Sequence, residues 1–220
     1  MKYFLVTWKI IFDFGMTPFK KNPNSILLIY EGYTEEEFYY KIFSLQLPKR
    51  KIRVSYYNLK GIYSINLKVR AKLKDFLSDK SKLDQQNIHV LIAHDREGSR
   101  ETESPLNLEL IRDEFSKTKK SRIKSIEEII ATQDLESWFF HDINGIYNFL
   151  DVPLNLRNPH KYIETERFNN YNLSSLFLKF GKVYSKRGKS VEGFLDSLDL
   201  NLIFDKTPDL KLPFKKLCKL

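Results

Sequence analysis

Ile26-Leu27-Leu28-Ile29-Tyr30, followed at once by Glu31-Gly32-Tyr33-Thr34-Glu35, is the stretch from which the fold is read. An unbroken apolar run behind the breaker Asn22-Pro23-Asn24 describes a strand buried on both faces, the habit of a parallel sheet. The run stops at Glu31-Gly32, where a tight turn needs a residue without a side chain. Thr34 and Glu37 have capping-box spacing, and Phe38, Ile42 and Leu45 recur at helical intervals, which predicts a helix over residues 35–46.

Working outward, residues 52–57 read as a second strand. Residues 65–77 read as an amphipathic helix with Leu67, Val69, Leu73, Phe76 and Leu77 on its apolar stripe. His89-Val90-Leu91-Ile92-Ala93 is another apolar strand, ending in His94-Asp95-Arg96-Glu97-Gly98. A charged loop, a helix over about 106–117, a strand over 123–131 and a helix opening within 134–140 follow. Strands that alternate with helices predict an α/β fold, a Rossmann-like, mainly parallel sheet flanked by helices. From about Asn144 the texture changes to helices and loops rich in Asn, Tyr, Phe and Lys, punctuated by Pro153, Pro159, Pro208 and Pro213. The expected organisation is an N-terminal extension (1–24), an α/β domain (25–143) and a helical C-terminal extension (144–220).

Composition bounds the function. The 220 residues are 42% hydrophobic and 30% charged with 8 Gly and 8 Pro, which excludes disordered and collagen-like classes. Cys218 is the one cysteine, so an internal disulfide and a cysteine zinc cage are out, and a reducing, cytoplasmic setting is expected. Lys and Arg total 37 against 28 Asp and Glu, a net charge of +9. That excess points to an anionic partner, nucleic acid first, with lysine-biased coding as the bland alternative. Residues 1–14 are apolar but interrupted by Lys9 and Asp13 and too short to span a bilayer, so no membrane segment is expected. A second methionine, Met16, makes residues 1–15 an expected extension or peripheral element.

Ligands of an open parallel sheet bind beyond the carboxyl ends of its strands, so acids placed there carry the weight. Glu31 leaves the first strand, and Glu35 enters the first turn of the helix that follows; for Glu36 and Glu37 a favourable interaction with the helix dipole is the plainer account, and for Glu31 it is weaker. Asp95 and Glu97 stand at i and i+2 after a buried strand, a repulsive pair unless a cation compensates it. The plainer alternative there is a solvated loop neutralised by Arg96 and Arg100. Asp134 reads as a helix N-cap with Trp138 packing inward, and Glu136 lies between them. Several carboxylates from three strand ends in a basic protein match a magnesium or manganese site for phosphoryl transfer. His89, His94, His141 and His160 lack metal-ligand spacing, and His94 reads as a packed residue at the strand end.

A strand ending in Glu31-Gly32-x-Thr34-Glu35 and another ending in Asp95-x-Glu97-Gly98 resemble the TOPRIM domain of topoisomerases, bacterial primases, the maturase of small ribosomal RNA and OLD-family nucleases. The form of the first motif is most similar to OLD-type and small stand-alone TOPRIM proteins of phage-defence systems. Leu135-Glu136-Ser137-Trp138, Tyr184-Ser185-Lys186 and residues 204–214 are also similar to the stand-alone group. The likeness covers residues 26–140, and more weakly continues to 217. It implies a Mg²⁺- or Mn²⁺-dependent nuclease in which Glu31 is acid/base or metal ligand. Glu35 is its companion, Asp95 and Glu97 form the metal-binding pair, and Glu136 is a further ligand. It also implies that Lys186, or alternatively Lys189, stabilises charge on the transferring phosphate. Most relatives have Asp where Glu97 stands, so the longer arm puts metal position and preference in doubt.

The window 48–74 holds no acid, while Lys49, Arg50, Lys51, Arg53, Lys60, Lys68, Arg70, Lys72 and Lys74 fall in it among Tyr56, Tyr57 and Tyr63. Such a face tracks a phosphate backbone, with Lys49, Arg50, Lys51 and Arg53 as the expected contacts, or else simply solubilises a helix. The expected partners are nucleic acid, a separate ATPase and further copies of the chain. No Gly-rich phosphate loop ending in Gly-Lys-Ser or Gly-Lys-Thr marks an ATPase here. Ser99 stands where a PD-(D/E)xK nuclease needs Lys, and no single tyrosine among 12 presents itself as a nucleophile. The rival function is a non-catalytic nucleic-acid-binding or regulatory module whose activity comes from a partner.

Overall fold

The computed structural model describes residues 24–47, 52–61, 63–96, 104–117, 121–186 and 189–217. Met16 and residues 1–23 of the expected extension, Lys49, Arg50, Lys51, Glu97, Arg100, Cys218 and the Lys189 side chain lie outside the described residues.

Four parallel strands, β1 (Ser25–Tyr30), β2 (Arg53–Asn58), β3 (Ile88–Asp95) and β4 (Ile123–Ala131), form one sheet in the order β2-β1-β3-β4. The two continuous apolar runs become its central strands, every residue of β1 and β3 being buried. Alternate side chains leave opposite faces. Ile26, Leu28, Tyr30, Leu91 and Ala93 enter one core, and Leu27, Ile29, Val90 and Ile92 the other.

The second core is closed by α2 (Ile65–Ser78) and α3 (Leu108–Phe115), through Val69, Leu73, Phe76 and Ile111. The first is closed by α1 (Tyr33–Gln46), α4 (Glu136–Phe139) and the C-terminal helices α5 (Ile143–Phe149), α6 (Asn170–Lys179), α7 (Lys189–Asp196), α8 (Leu200–Lys206) and α9 (Pro208–Leu217). Phe43 meets Phe214 with ring centroids 4.8 Å apart, and Phe139 meets Phe194 at 5.7 Å. Phe139, Phe194 and Phe214 are each at most 1% exposed, and full burial of such a side chain stabilises by about 1.5–3 kcal/mol. The C-terminal helices therefore share one hydrophobic cluster with β1 and α1. Asp142 fastens two of them, accepting the N–H of Gly145 at 3.0 Å and of Asp199 at 2.7 Å. Among the described residues no helix is long and apolar enough to cross a membrane.

Local differences from expectation have physical causes. Helix α1 starts at Tyr33 with Gly32 as N-cap, not at a Thr34 capping box. Thr34 already lies in the first turn, and its hydroxyl donates instead to the carbonyl of Lys186 at 3.2 Å. Gly32 has φ −139°, an extended conformation open to any residue. Its lack of a side chain matters for another reason: a Cβ there would stand 2.8 Å from Glu35 Oε2. Leu67, expected on the buried stripe of α2, is 65% exposed, because the packed face runs through Ile65, Val69, Leu73 and Phe76.

Candidate functional site

At the carboxyl edge of the sheet, β1 delivers Glu31, β3 delivers Asp95, and the turn after β4 delivers Asp134. Because β1 and β3 are hydrogen-bonded neighbours, their terminal acids come close without any long-range coincidence. The first turn of α1 adds Glu35, and the segment between α6 and α7 brings Lys186 back across the edge. Glu31, Glu35, Asp95, Asp134, Lys60 and Lys186 line one open cleft of about 760 Å³.

Of these acids Glu35 and Asp95 are buried, and Glu31 and Asp134 are half-buried. Glu35 is 9% and Asp95 8% exposed. Burial pushes the Glu35 carboxyl up to about 7, with Glu136 and Glu31 adding to the rise and its own backbone N–H and Lys186 opposing it. Asp95 is held well above the carboxylate range by burial, then by the negative charges of Glu35, Glu136, Glu31 and Asp134. Asp134 rises to about 6, from burial first and Glu136 second. It keeps the expected capping role as well: Oδ1 accepts the N–H of Ser137 at 3.2 Å and Oδ2 that of Asn170 at 2.7 Å.

Glu136 is 1% exposed and does not line the cleft. Its Oε1 accepts from the Tyr184 hydroxyl at 3.0 Å and from Lys186 Nζ at 3.1 Å. Burial, then Glu136, raises the Tyr184 hydroxyl, so Tyr184 stays a donor. For Lys186 burial works against the charge, but Glu136, Asp134 and Glu35 outweigh it and the ammonium is held above its usual range. Glu136 thus positions Lys186 at the cleft wall, and Thr34 fixes the same residue through its backbone.

The other expected residues fall elsewhere. His94 packs as expected, its Nε2 2.7 Å from Glu128 Oε1. Arg96 lines a separate hollow of about 240 Å³ with Glu127, Glu128 and Lys216. Arg53 opens β2 at the opposite, amino end of the sheet and pairs with Asp84 at 2.8 Å. On α2, Arg70 and Lys74 converge on Glu114 at 2.5 and 3.1 Å. The sequence reading missed Lys60 as a cleft residue, Tyr184 as the partner of Glu136, and the cleft role of Asp134. Lys60 was findable, since Asn58-Leu59-Lys60-Gly61 is also a strand end in a parallel sheet.

Hard carboxylate oxygens crowded until they repel one another suit a small divalent cation, which discharges the repulsion. Among the described residues, however, no three His, Cys, Asp or Glu side chains are grouped so as to hold a metal ion as they stand. No protein-family model, curated protein or solved structure matches this chain.

Proposed function

We propose that this chain is a TOPRIM-like, Mg²⁺- or Mn²⁺-dependent nuclease that hydrolyses phosphodiester bonds of DNA or RNA in the cytoplasm, as the effector of a phage-defence system with a separate ATPase and further copies of itself as partners. One observation carries the reading: Glu31, Glu35 and Asp95 share a cleft with Lys186, and burial and mutual repulsion raise Glu35 and Asp95. Acids perturbed in this way beside a basic residue are the mark of a catalytic site.

Glu31, Glu35 and Asp95, with Glu97 from outside the described residues, would hold the cation. A bound Mg²⁺ or Mn²⁺ supplies Lewis-acid polarisation of the phosphoryl oxygen and a water of lowered pKa. Glu31, at the strand mouth, accepts a proton from the attacking water. Lys186, kept cationic by Glu136, neutralises charge growing on the phosphate. Asp95 and Glu35, whose carboxyls burial and their acidic neighbours raise, would have to be deprotonated to hold the cation.

The test incubates the protein with single- and double-stranded DNA and with RNA, in Mg²⁺, Mn²⁺ or EDTA, beside Glu31→Gln and Asp95→Asn. Metal-dependent cleavage reduced by about 10²-fold or more in both variants is expected; cleavage that both variants retain overturns the assignment. The second reading, a non-catalytic nucleic-acid-binding or regulatory module, rests on Glu97 standing where most proteins of the resembled family have Asp. Nucleic-acid binding without cleavage under any metal is its signature.

A further inference from the structure

Lys60 has a backbone that the rest of its turn over-determines. It lies in the left-handed region at φ +55°, followed by Gly61 at φ +103°. Non-glycine residues adopt that region where surrounding bonds compel it, and such positions cluster at functional sites. Here the Lys60 N–H donates to Asn58 Oδ1 at 2.7 Å, and the Gly61 N–H donates to the carbonyl of Glu31 at 3.1 Å. Lys68 Nζ donates to the Gly61 carbonyl at 2.9 Å, and Leu59 N–H to the carbonyl of Tyr30 at 2.7 Å. The turn after β2 is thereby tied to the end of β1, at the very residue that opens the cleft.

Among the described lysines and arginines of the basic window, Lys60 is the one that lines this cleft, beside Asn58 and Gly61. It stands at the β2 end of the strand row. Lys186 is held at its ammonium by Glu136, which follows β4, and at its carbonyl by Thr34, which follows β1, and Glu31 and Asp95 end the two central strands. Adjacent strands are about 4.8 Å apart, so the row from β2 to β4 spans roughly 14 Å. That exceeds a single phosphate and suits a chain that presents consecutive ones.

Building on the nuclease reading above, we propose that Lys60 is a substrate-positioning residue that holds a phosphate flanking the one at Lys186. The cleft then takes a polyphosphodiester strand laid across the strand ends rather than an isolated phosphodiester.

The experiment measures binding of a fluorescent single-stranded DNA oligonucleotide by anisotropy across a salt series, in EDTA so that nothing is cut. Wild type is compared with Lys60→Ala, Lys60→Gly, Lys60→Arg and the control Lys179→Ala, which alters an exposed lysine on α6. Loss of one phosphate contact predicts affinity about three-fold weaker at low salt and a log–log salt slope shallower by about 0.7 for Lys60→Ala. Lys60→Gly keeps the left-handed turn without the charge and should match it, while Lys60→Arg and Lys179→Ala should bind as wild type. Wild-type binding with an unchanged slope in Lys60→Ala overturns the Lys60 role and leaves the nuclease reading intact. An effect in Lys60→Ala that Lys60→Gly lacks, or that Lys179→Ala shares, also overturns it. If wild type itself shows no salt-dependent binding, the Lys60 proposal fails, while the nuclease reading stands or falls by the cleavage assay above.

Discussion

At the amino end of the sheet, Arg122 donates to the carbonyls of Leu77, Lys82 and Gln85, and Arg53 pairs with Asp84. At the carboxyl end, Glu31, Glu35, Asp95, Asp134 and Glu136 gather about Lys186. The amino end gives its cations partners and asks nothing further of solvent. The carboxyl end crowds more carboxyl groups than Lys186 and Lys60 can answer, and burial together with this crowding raises three of them. Stability alone does not select the second arrangement, since a buried carboxylate costs free energy unless paired. The contrast separates a part of the fold built to hold together from a part built to hold something else.

The sharpest way to break that contrast is to remove the pairing that holds Lys186 at the acidic end. Glu136→Ala leaves the Tyr184 hydroxyl without its acceptor and Lys186 without its counter-ion. We expect a loss of about 3 kcal/mol in urea unfolding, with Glu136→Gln recovering part of it. An unchanged midpoint would mean that the Tyr184–Glu136–Lys186 group does not anchor the segment that carries Lys186.

Next in size is the pH dependence. Glu35, Asp95 and Asp134 all bind protons more tightly folded than unfolded, since their folded values are raised. Stability from these groups is therefore greatest near pH 4 and is lost as pH rises toward 7, on the order of a few kcal/mol in total. Metal-free protein should unfold at lower urea at pH 8 than at pH 5. Glu35→Gln should raise stability at pH 8 by roughly 1–3 kcal/mol and change little at pH 5. Mg²⁺ should recover stability at pH 8 in wild type and less so in Asp95→Asn. A flat profile from pH 5 to 8 would remove the electrostatic contrast between the two ends.

A smaller effect is expected at Gly32. Alanine there forces the Glu35 carboxylate away from its position. The expected cost is about 1 kcal/mol or less in stability, with a larger proportional loss of metal-dependent cleavage, about ten-fold. Equal, small effects on both would show that the Glu35 carboxylate shifts without consequence. The smallest effect belongs to the amino end: Arg53→Ala removes an ion pair whose partners are both over a third exposed, about 0.5 kcal/mol in denaturant unfolding. Oligonucleotide affinity should stay within two-fold, roughly, because Arg53 and the cleft lie at opposite ends of β2. A larger fall in Arg53→Ala than in Lys60→Ala would move the nucleic-acid contact to the amino-end part of the basic window.

The central strands and the acids at their ends were legible because both signals are local. An apolar run bounded by charge reads as a buried strand, and parallel topology places the carboxyl ends together. Helix boundaries were less legible: Thr34 has the composition of a cap, yet its hydroxyl is claimed by a carbonyl 152 residues away in the chain. Glu136 entered as a further ligand through the resemblance alone, and the structure engages its Oε1 with Tyr184 and Lys186 from a distant segment. The basic window counted charges along the chain, but β2 carries Arg53 to one end of the sheet and Lys60 to the other.

By itself, then, the amino-acid sequence determined the alternation of strands and helices, the parallel sheet, and the presence of Glu31 and Asp95 at strand ends with Glu35 in the helical turn that follows the first. Those follow from periodicity and from side chains that act within one turn or one strand. Tertiary structure alone decided which cation faces those acids, how far burial raises their affinity for protons, and that Lys60 and Lys186 border the same cleft. Such properties depend on distance and dielectric between groups far apart in the chain, and only packing sets those.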